Sequence, residues 1–473
     1  MNYNLLDEPW IPVLFRDGRY ERLGITDTLT RAHEIRQVAA SNPMDRVAVL
    51  RFLLALLYWC KGNPPRDAQT QLHEPLPSTW FTALTAHRGV FELFGSGKRF
   101  YQYGGLGKKK PLSVNSLIHE VPTGTNINHF RHSIDGEDGL CPACCALGLI
   151  RLPLFTTQGG QGKRPGVNFK PPIYLIPAGD NLAETLRLSW MQIKNLGAPI
   201  WNRDTYHIPI DGEILFLEAL TALPRRVWLR NPDIEDRCIS CGRFTDLVRE
   251  CDFEGAPKRE LPNSWQDPHV VYFLNEDEIR SARADNTMKP GGFRTDRPWS
   301  RLMERFLGAE SLASRDTDTR FLIVGFASDQ TKYIDAWERT FTLPANTNRI
   351  AASDAIDRWS AAGARMPWRI KHPSPQRKPS SNEKAIIGSI RPHIEHTISS
   401  NLTELVTWDD ESWNEASMEY RKLMEGVAES LSPGYSTAAV RRRGYLSRVL
   451  PDLSQKQNDV SETEPEDEED ADS

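Results

Sequence analysis

CPACC at residues 141–145 and CISCG at residues 238–242 are the stretches on which the reading of this chain turns. Each holds a Cys-x-x-Cys pair, Cys141/Cys144 and Cys238/Cys241, and a tight turn at that spacing aims two sulfurs at one point. Two such turns supply four thiolates, a complete tetrahedral shell for a structural Zn2+. A closed shell leaves no position for water or substrate, so the expected role is to fasten two distant segments and not to catalyse. The pairs stand much further apart than in a compact zinc ribbon, and the fold must bring them together. Two unrelated reduced thiol pairs, or a disulfide, are the alternatives.

The other cysteines, Cys60, Cys145 and Cys251, bring the total to seven, an odd number that suits a disulfide framework poorly. The amino terminus lacks the basic, apolar, small-residue order of a secretory signal, so a reducing cytoplasm is the expected compartment. No apolar run approaches the length of a membrane helix. The richest, Val47 to Trp59, is interrupted by Arg51 and reads as a buried helix. A chain of 473 residues with 39 % hydrophobic content suits two or three soluble domains. The net charge of −5 is misleading, because residues 461–473 carry eight acidic side chains and no Lys or Arg, which leaves the remainder at +3. That tail cannot bury enough apolar surface to order itself.

Outward from the cysteines, NLLDEPWIPVLF (residues 4–15) is punctuated by Pro9 and Pro12 and predicts an edge strand, paired with Arg19 to Leu23 across an Asp17-Gly18 turn. Asn42 caps a helix that has Pro43 in its first position and Val47, Leu50, Leu53, Leu54 and Leu57 on one face. Phe100, Tyr101 and Tyr103, followed by Lys108, Lys109 and Lys110, suit either base stacking with phosphate neutralisation or a plain surface loop. Cys145 to Ile150 reads as a short helix leaving the metal site. The run TTQGGQGKRPGVNFKPP has Gly159, Gly160 and Gly162 beside Gln161, Lys163 and Arg164; it is neither a Walker loop nor a Rossmann fingerprint, and it suits either a backbone lying against a nucleic-acid groove or a flexible surface turn. FLIVGFASDQ predicts a buried strand ending in a turn at Ser328 to Gln330. Beyond about residue 343 the pattern is helical, with weak periodicity from Ile350 to Trp359 and clearer helices at Asn382 to Thr407, Ser412 to Leu431 and Ser436 to Leu450; the last carries Arg441, Arg442 and Arg443, which suit either phosphate contacts or a solvated face.

The fold class is therefore α+β: a large mixed amino-terminal domain (1–345) with a structural zinc site, a carboxy-terminal four-helix bundle (346–453) and a disordered acidic tail (454–473). No His-Glu-x-x-His, paired metal carboxylates or nucleophile elbow points to an enzyme. A zinc-stabilised RNA-binding or scaffold protein without motif recognition is one reading of the residues alone.

The other comes from a resemblance. NLLDEPWIPV, CPAC after TNINHF, the GGQG loop, CISCG followed by Trp265, Pro268 and His269, and a strand-turn ending in Asp329-Gln330 occur in an order similar to that of the large subunit of the type I-E CRISPR Cascade complex, the CasA family. The resemblance implies a non-catalytic subunit that reads the protospacer-adjacent motif in double-stranded DNA while a guide RNA reads the longer sequence. It implies motif recognition by Gly159, Gly160, Gln161, Gly162 and Lys258, and a strand-separating wedge at Asp329 and Gln330, with Asp329 where the family turn has Asn. It also implies a docking loop with Asn126, Asn128 and Phe130. The partners would be guide RNA, other Cascade subunits, target DNA and a helicase-nuclease effector, with no membrane.

Overall fold

The structure is a computed structural model that describes residues 2–65, 71–104, 111–120, 139–156, 173–202, 215–255, 267, 269–270, 318–329, 332–343 and 345, the side chains of 327–329 and 332–335 excepted. The chain divides into two units, Met1–Thr295 with Thr317–Leu343, and Asp296–Asp316 with Pro344–Ser473. The expected four-helix bundle and acidic tail lie outside the described residues. In chain order the elements are β1 (Ile11–Phe15), β2 (Tyr20–Leu23), α1 (Ile25–Thr30), β3 (Ile35–Val38), α2 (Pro43–Lys61), α3 (Thr82–Ala86), β4 (Leu112–Ser113), α4 (Pro142–Phe155), β5 (Tyr174–Ala178), α5 (Leu182–Ser189), α6 (Phe216–Leu220), β6 (Arg225–Leu229), β7 (Ile234–Arg237), β8 (Phe244–Leu247), β9 (Glu250–Gly255), β10 (Thr319–Asp329) and β11 (Lys332–Leu343). They form a mixed helix-and-strand body.

The first sheet has the order β2-β1-β3, all antiparallel. Gly18, at φ +89°, closes the β1–β2 hairpin, and the Asp17 carboxylate accepts from the Arg19 amide at 3.0 Å. The turn is where the sequence places it. The strand's position is not: β1 lies in the middle of the sheet, not at its edge. Pro12 is tolerated because pairing with β3 starts only at Val13, so the missing donor falls at the end of that ladder, where the Pro12 carbonyl accepts from Ala39 at 2.9 Å.

Helix α2 starts as expected, with the Asn42 side chain accepting from the Met44 amide at 2.8 Å and Pro43 in the first turn. It ends on Gly62, at φ +80°, whose amide bonds the Tyr58 carbonyl at 2.7 Å. Residues 47–58 are all buried, so the helix is covered all round and not on one face alone. Aromatic rings sheath it: Phe52 makes edge contacts with Phe100 at 5.3 Å, Tyr101 at 6.1 Å and Trp201 at 5.9 Å. Phe100 and Tyr101 are thus core side chains, which corrects the reading of that run as a base-stacking platform; Tyr103 stays partly exposed beneath the Arg226 guanidinium, 4.7 Å away.

Arg51, the one charge in the apolar run of α2, is 2 % exposed. Its guanidinium makes a two-pronged pair with Asp267 at 2.7 and 2.6 Å, lies 5.1 Å over the Tyr174 ring and approaches His269 Nδ1 at 3.3 Å. The Asp267 carboxylate also accepts from the His269 amide at 3.0 Å, and the His269 carbonyl from the Leu175 amide at 2.8 Å. Asp267 and His269 are thereby bolted to α2 and β5.

A three-stranded sheet of order β11-β10-β5 is antiparallel throughout, with Phe321 opposite Phe341 and Asp329 opposite Lys332. The sheet β4-β9-β6 and the hairpin β7-β8 complete the described strands. No helix among the described residues is long and apolar enough to cross a membrane.

Two outcomes follow from these buried charges. Arg51→Met should destabilise the protein by about 3–5 kcal/mol, because it strands the Asp267 charge, whereas Arg51→Met with Asp267→Leu should return most of the loss; urea unfolding of the three proteins measures both. His269 is buried and His119 half-buried, and both are held down to about 3, by desolvation first and then by the charges of Arg51 and Arg151 respectively. Their depressed folded values mean that the unfolded chain binds protons near pH 6.5 that the folded chain refuses, so this contribution is full above pH 6.5 and falls as the pH drops toward 3. The Asp45 carboxyl, raised chiefly by desolvation, acts in the opposite sense. His269→Gln should therefore flatten the fall in stability between pH 5.5 and 4 by about 1.4 kcal/mol per pH unit relative to the parent, read from urea midpoints.

Candidate metal centre

Helix α4 begins at the first cysteine pair. Cys141 is the residue before the helix, with extended backbone, Pro142 opens the first turn, and Cys144 follows within that turn. The helix runs for 14 residues, longer than the short segment expected, and both cysteines of the pair belong to its start. The amino-terminal end of a helix presents free N–H groups and a positive dipole end, which favour thiolate over thiol.

The second pair sits on the turn between β7 and β8. Gly242, at φ +71°, lets the chain reverse, its amide bonds the Cys238 carbonyl at 2.8 Å, and the Cys238 amide bonds the Arg243 carbonyl at 2.9 Å. The turn and the start of α4 are joined by backbone bonds. Ile239 donates to the Gly139 carbonyl at 3.2 Å, and Leu140 and Val248 exchange two bonds of 2.9 Å. The Cys141 amide donates to the Cys238 sulfur at 3.3 Å.

The four sulfurs of Cys141, Cys144, Cys238 and Cys241 lie within 4.8 Å of one another, with 3.7 Å between Cys141 and Cys241. A tetrahedral ion with sulfur ligands at about 2.3 Å puts neighbouring sulfurs about 3.8 Å apart, and a disulfide would bring them to about 2.05 Å. All seven cysteines are free thiols, so the disulfide alternative is excluded in this structure. Cys141, Cys144 and Cys238 are buried and Cys241 half-buried. The donor set is compatible with a structural metal ion. Hydrogen bonds from Cys141 and then Cys144 pull Cys238 down to about 6, and the Cys141 bond is also the main cause of the depressed Cys241. Cys144 is pushed up chiefly by its bond with Cys141.

Nothing in the cysteine motifs hints at the cluster's neighbours. Tyr3 and Arg22, from the amino-terminal motif and β2, complete its surroundings. Burial first and the Cys141 charge next raise the Tyr3 phenol. Burial pulls Arg22 down, but the charges of Cys144 and Cys241 outweigh it and hold the guanidinium above its ordinary value. A β2 position alone carries no mark of this contact, which only the assembled sheet creates.

Of the other predicted site residues, Asp329 ends β10 and pairs in register with Lys332. Gln330, Gly159, Gly160, Gln161, Gly162, Lys163, Arg164, Lys258, Asn126, Asn128, Phe130, Arg441, Arg442 and Arg443 lie outside the described residues. What the structure places is the fixed ends of three of these stretches. Residues 157–172 run between the end of α4 and Ile173 before β5; residues 256–266 run between β9 and the Asp267 anchor; residues 330–331 run between the strands of the β10–β11 pair.

A mixed α and β body with two distant cysteine pairs drawn into one four-sulfur centre defines the class: a cysteine-clamped scaffold that carries its loops on fixed bases. The chain belongs to the CRISPR-associated protein Cse1 family, which matches residues 4–446. A CRISPR-associated protein CasA/Cse1 of Thermus thermophilus is 31 % identical over 223 residues, and the match spans 42 % of this chain and 42 % of that relative. Solved structures share the fold at lower identity. Thermobifida fusca Cse1 superposes with a TM-score of 0.72 at 16 % identity over 95 % of this chain and 98 % of that one. Thermus thermophilus CasA gives 0.68 at 19 % over 95 % and 99 %, and a chain of a CRISPR RNA-guided surveillance complex gives 0.68 at 17 % over 96 % and 100 %.

The sulfur geometry predicts about one zinc per chain in freshly purified, reduced protein, measured by elemental analysis. Cys238→Ser should lose the metal and melt at a lower temperature; metal-free wild-type protein of full stability would remove the zinc reading.

Proposed function

We propose that this chain is the large, non-catalytic subunit of an RNA-guided surveillance complex, and that it reads a short motif in duplex DNA and starts strand separation. The observation that carries the reading is the family match over residues 4–446, joined by a fold shared with a chain of a CRISPR RNA-guided surveillance complex. The role asks for small rigid loops and not for chemistry. The bound metal, Zn2+ in this reading, is held by Cys141, Cys144, Cys238 and Cys241 and contributes folding free energy alone.

In this reading the glycines at 159, 160 and 162, with Gln161, bring backbone close to the minor groove, where only small residues sense width and amino-group clashes. Lys258 adds a contact to the same motif, and Lys163 and Arg164 meet phosphate. Gln330, with Asp329 beside it, enters beside the motif and parts the strands. The loop with Asn126, Asn128 and Phe130 docks the subunit near the guide RNA. The chain then divides at about residue 345 into the motif-reading domain and a four-helix bundle that faces the displaced strand through Arg441, Arg442 and Arg443. Other Cascade subunits and a helicase-nuclease effector are the protein partners, in the cytoplasm.

The test is target binding by the assembled complex. Gln330→Ala and Gly160→Asp should each weaken capture of duplex carrying the motif, by roughly tenfold. On a target whose motif-proximal bases are already unpaired, Gln330→Ala should cost less than about twofold, because no strand separation remains to be done. Equal losses on the two targets would remove the wedge role, and a Gly160→Asp complex of full affinity would remove the groove-reading role.

A further inference from the structure

The β10–β11 hairpin is long, with 11 and 12 residues in its strands, and it is held at three points short of its end. Across the pair, Gly325 faces Trp337, and the indole lies so close over the glycine that a Cβ there would overlap its ring carbons and stand 2.7 Å from Nε1. On the next register position, Glu338 of β11 receives a hydrogen bond of 3.0 Å from Arg46 of α2, whose guanidinium also donates to the Ala40 carbonyl at 3.3 Å. Arg46 Nε and Glu338 Oε2 are buried with no hydrogen-bond partner among the described residues, and the 3.0 Å ion pair sets the two opposite charges against each other. One residue beyond the glycine, Phe326 packs against Phe155 at the end of α4 (5.9 Å) and edge-on to His119 (5.7 Å). Past these three contacts the register shifts between Ala327 and Ser328, a bulge that bends the strand before Asp329.

A free two-stranded ribbon is a poor lever: it twists and bends, and a residue at its end can exert no fixed force on a partner. Here the ribbon is gripped by an ion pair to α2, a ring packed on a second helix, and an indole that fills the place of the missing side chain. All three lie within about five residues of the strand end, and the bulge sets the direction beyond them.

We propose that Gly325, Trp337, Arg46 and Glu338 are positioning residues for strand separation, holding the end of the β10–β11 hairpin stiff and aimed. This rests on the wedge reading of Gln330. The functional demand explains a glycine at a strand centre, which otherwise weakens a sheet. It equally explains a part-buried ion pair reaching from α2 to an edge strand.

Hydrogen exchange and duplex opening test it in the assembled complex. Gly325→Ala forces the indole or the strand to shift, and Arg46→Glu sets two carboxylates together. Each should speed amide exchange over residues 326–336 by about tenfold, while exchange in α2 and the melting temperature of the protein change little. Each should lower opening of a motif-bearing duplex, read by permanganate reactivity, by about tenfold, and leave binding of the pre-opened target within about twofold of wild type. Arg46→Glu combined with Glu338→Arg restores opposite charges and should recover both readouts, a rescue that general loss of fold does not give. Unchanged exchange over 326–336 in Gly325→Ala and Arg46→Glu would overturn the brace whatever Gln330 does. Faster exchange with unchanged opening, in a series where Gln330→Ala does lower opening, would overturn its functional role. Should Gln330→Ala leave opening intact, the wedge reading fails, and the positioning role falls with it even if the exchange results stand.

Discussion

The described fold depends on the burial of α2. A helix surrounded on all sides has no solvent face on which to place a charge, so Arg51 can exist there only with a fully desolvated counter-charge and with hydrogen bonds on both prongs of its guanidinium. Asp267 supplies these from a segment more than two hundred positions away in sequence. Once that pair is formed, the positions of Tyr174 and His269 are determined, because the guanidinium lies over one ring and touches the other. The sheet of β5, β10 and β11 is in this way referenced to the central helix. Arg46, a little over one turn earlier, repeats the device at the edge of the same sheet.

The cysteine centre imposes a second reference. Its four sulfurs come from the start of α4 and from the β7–β8 turn, and the backbone bonds between Leu140 and Val248 align those two segments before any metal is considered. The protein scaffold thus offsets part of the cost of gathering four thiols, and a tetrahedral ion would take up the electrostatic repulsion among them. Arg22 and the α4 amino terminus contribute positive potential of the same sense.

Much of this was legible in sequence. The cysteine spacing named four residues whose sulfurs do meet, Asn42-Pro43 marked the start of α2, and Asp17-Gly18 marked the first turn, because each signal is local and arises from a single turn's stereochemistry. Arg51 stood out as a charge in an apolar run, but nothing local identifies Asp267 as its partner. Phe100 and Tyr101 next to lysines looked like a surface platform; burial is decided by which elements pack over a residue, and α2 packs over these. The edge assignment of β1 failed for a related reason. Pro12 removes one donor, and a central strand can absorb that loss when the neighbouring ladder starts one residue later. Tyr3 and Arg22 could not be foreseen beside the sulfurs, since their approach is a product of sheet order.

Helix α4 links the sulfur centre to the β10–β11 hairpin. Cys141 caps it and its first turn carries Cys144, and its last residue, Phe155, packs against Tyr174 of β5 and Phe326 of β10. Fourteen residues at 1.5 Å each make a rod of about 21 Å between the sulfur centre and the turn-proximal part of the long hairpin. Gly148 lies midway, close enough to Leu117 that a Cβ there would stand 2.8 Å from the leucine Cβ, so the rod is seated without room to rotate about its axis. Such a rod converts the fixed position of one end into a fixed position of the other. An ion held by the four sulfurs would then bear on the long hairpin without touching it, by setting where α4 begins and hence where Phe155 meets Phe326.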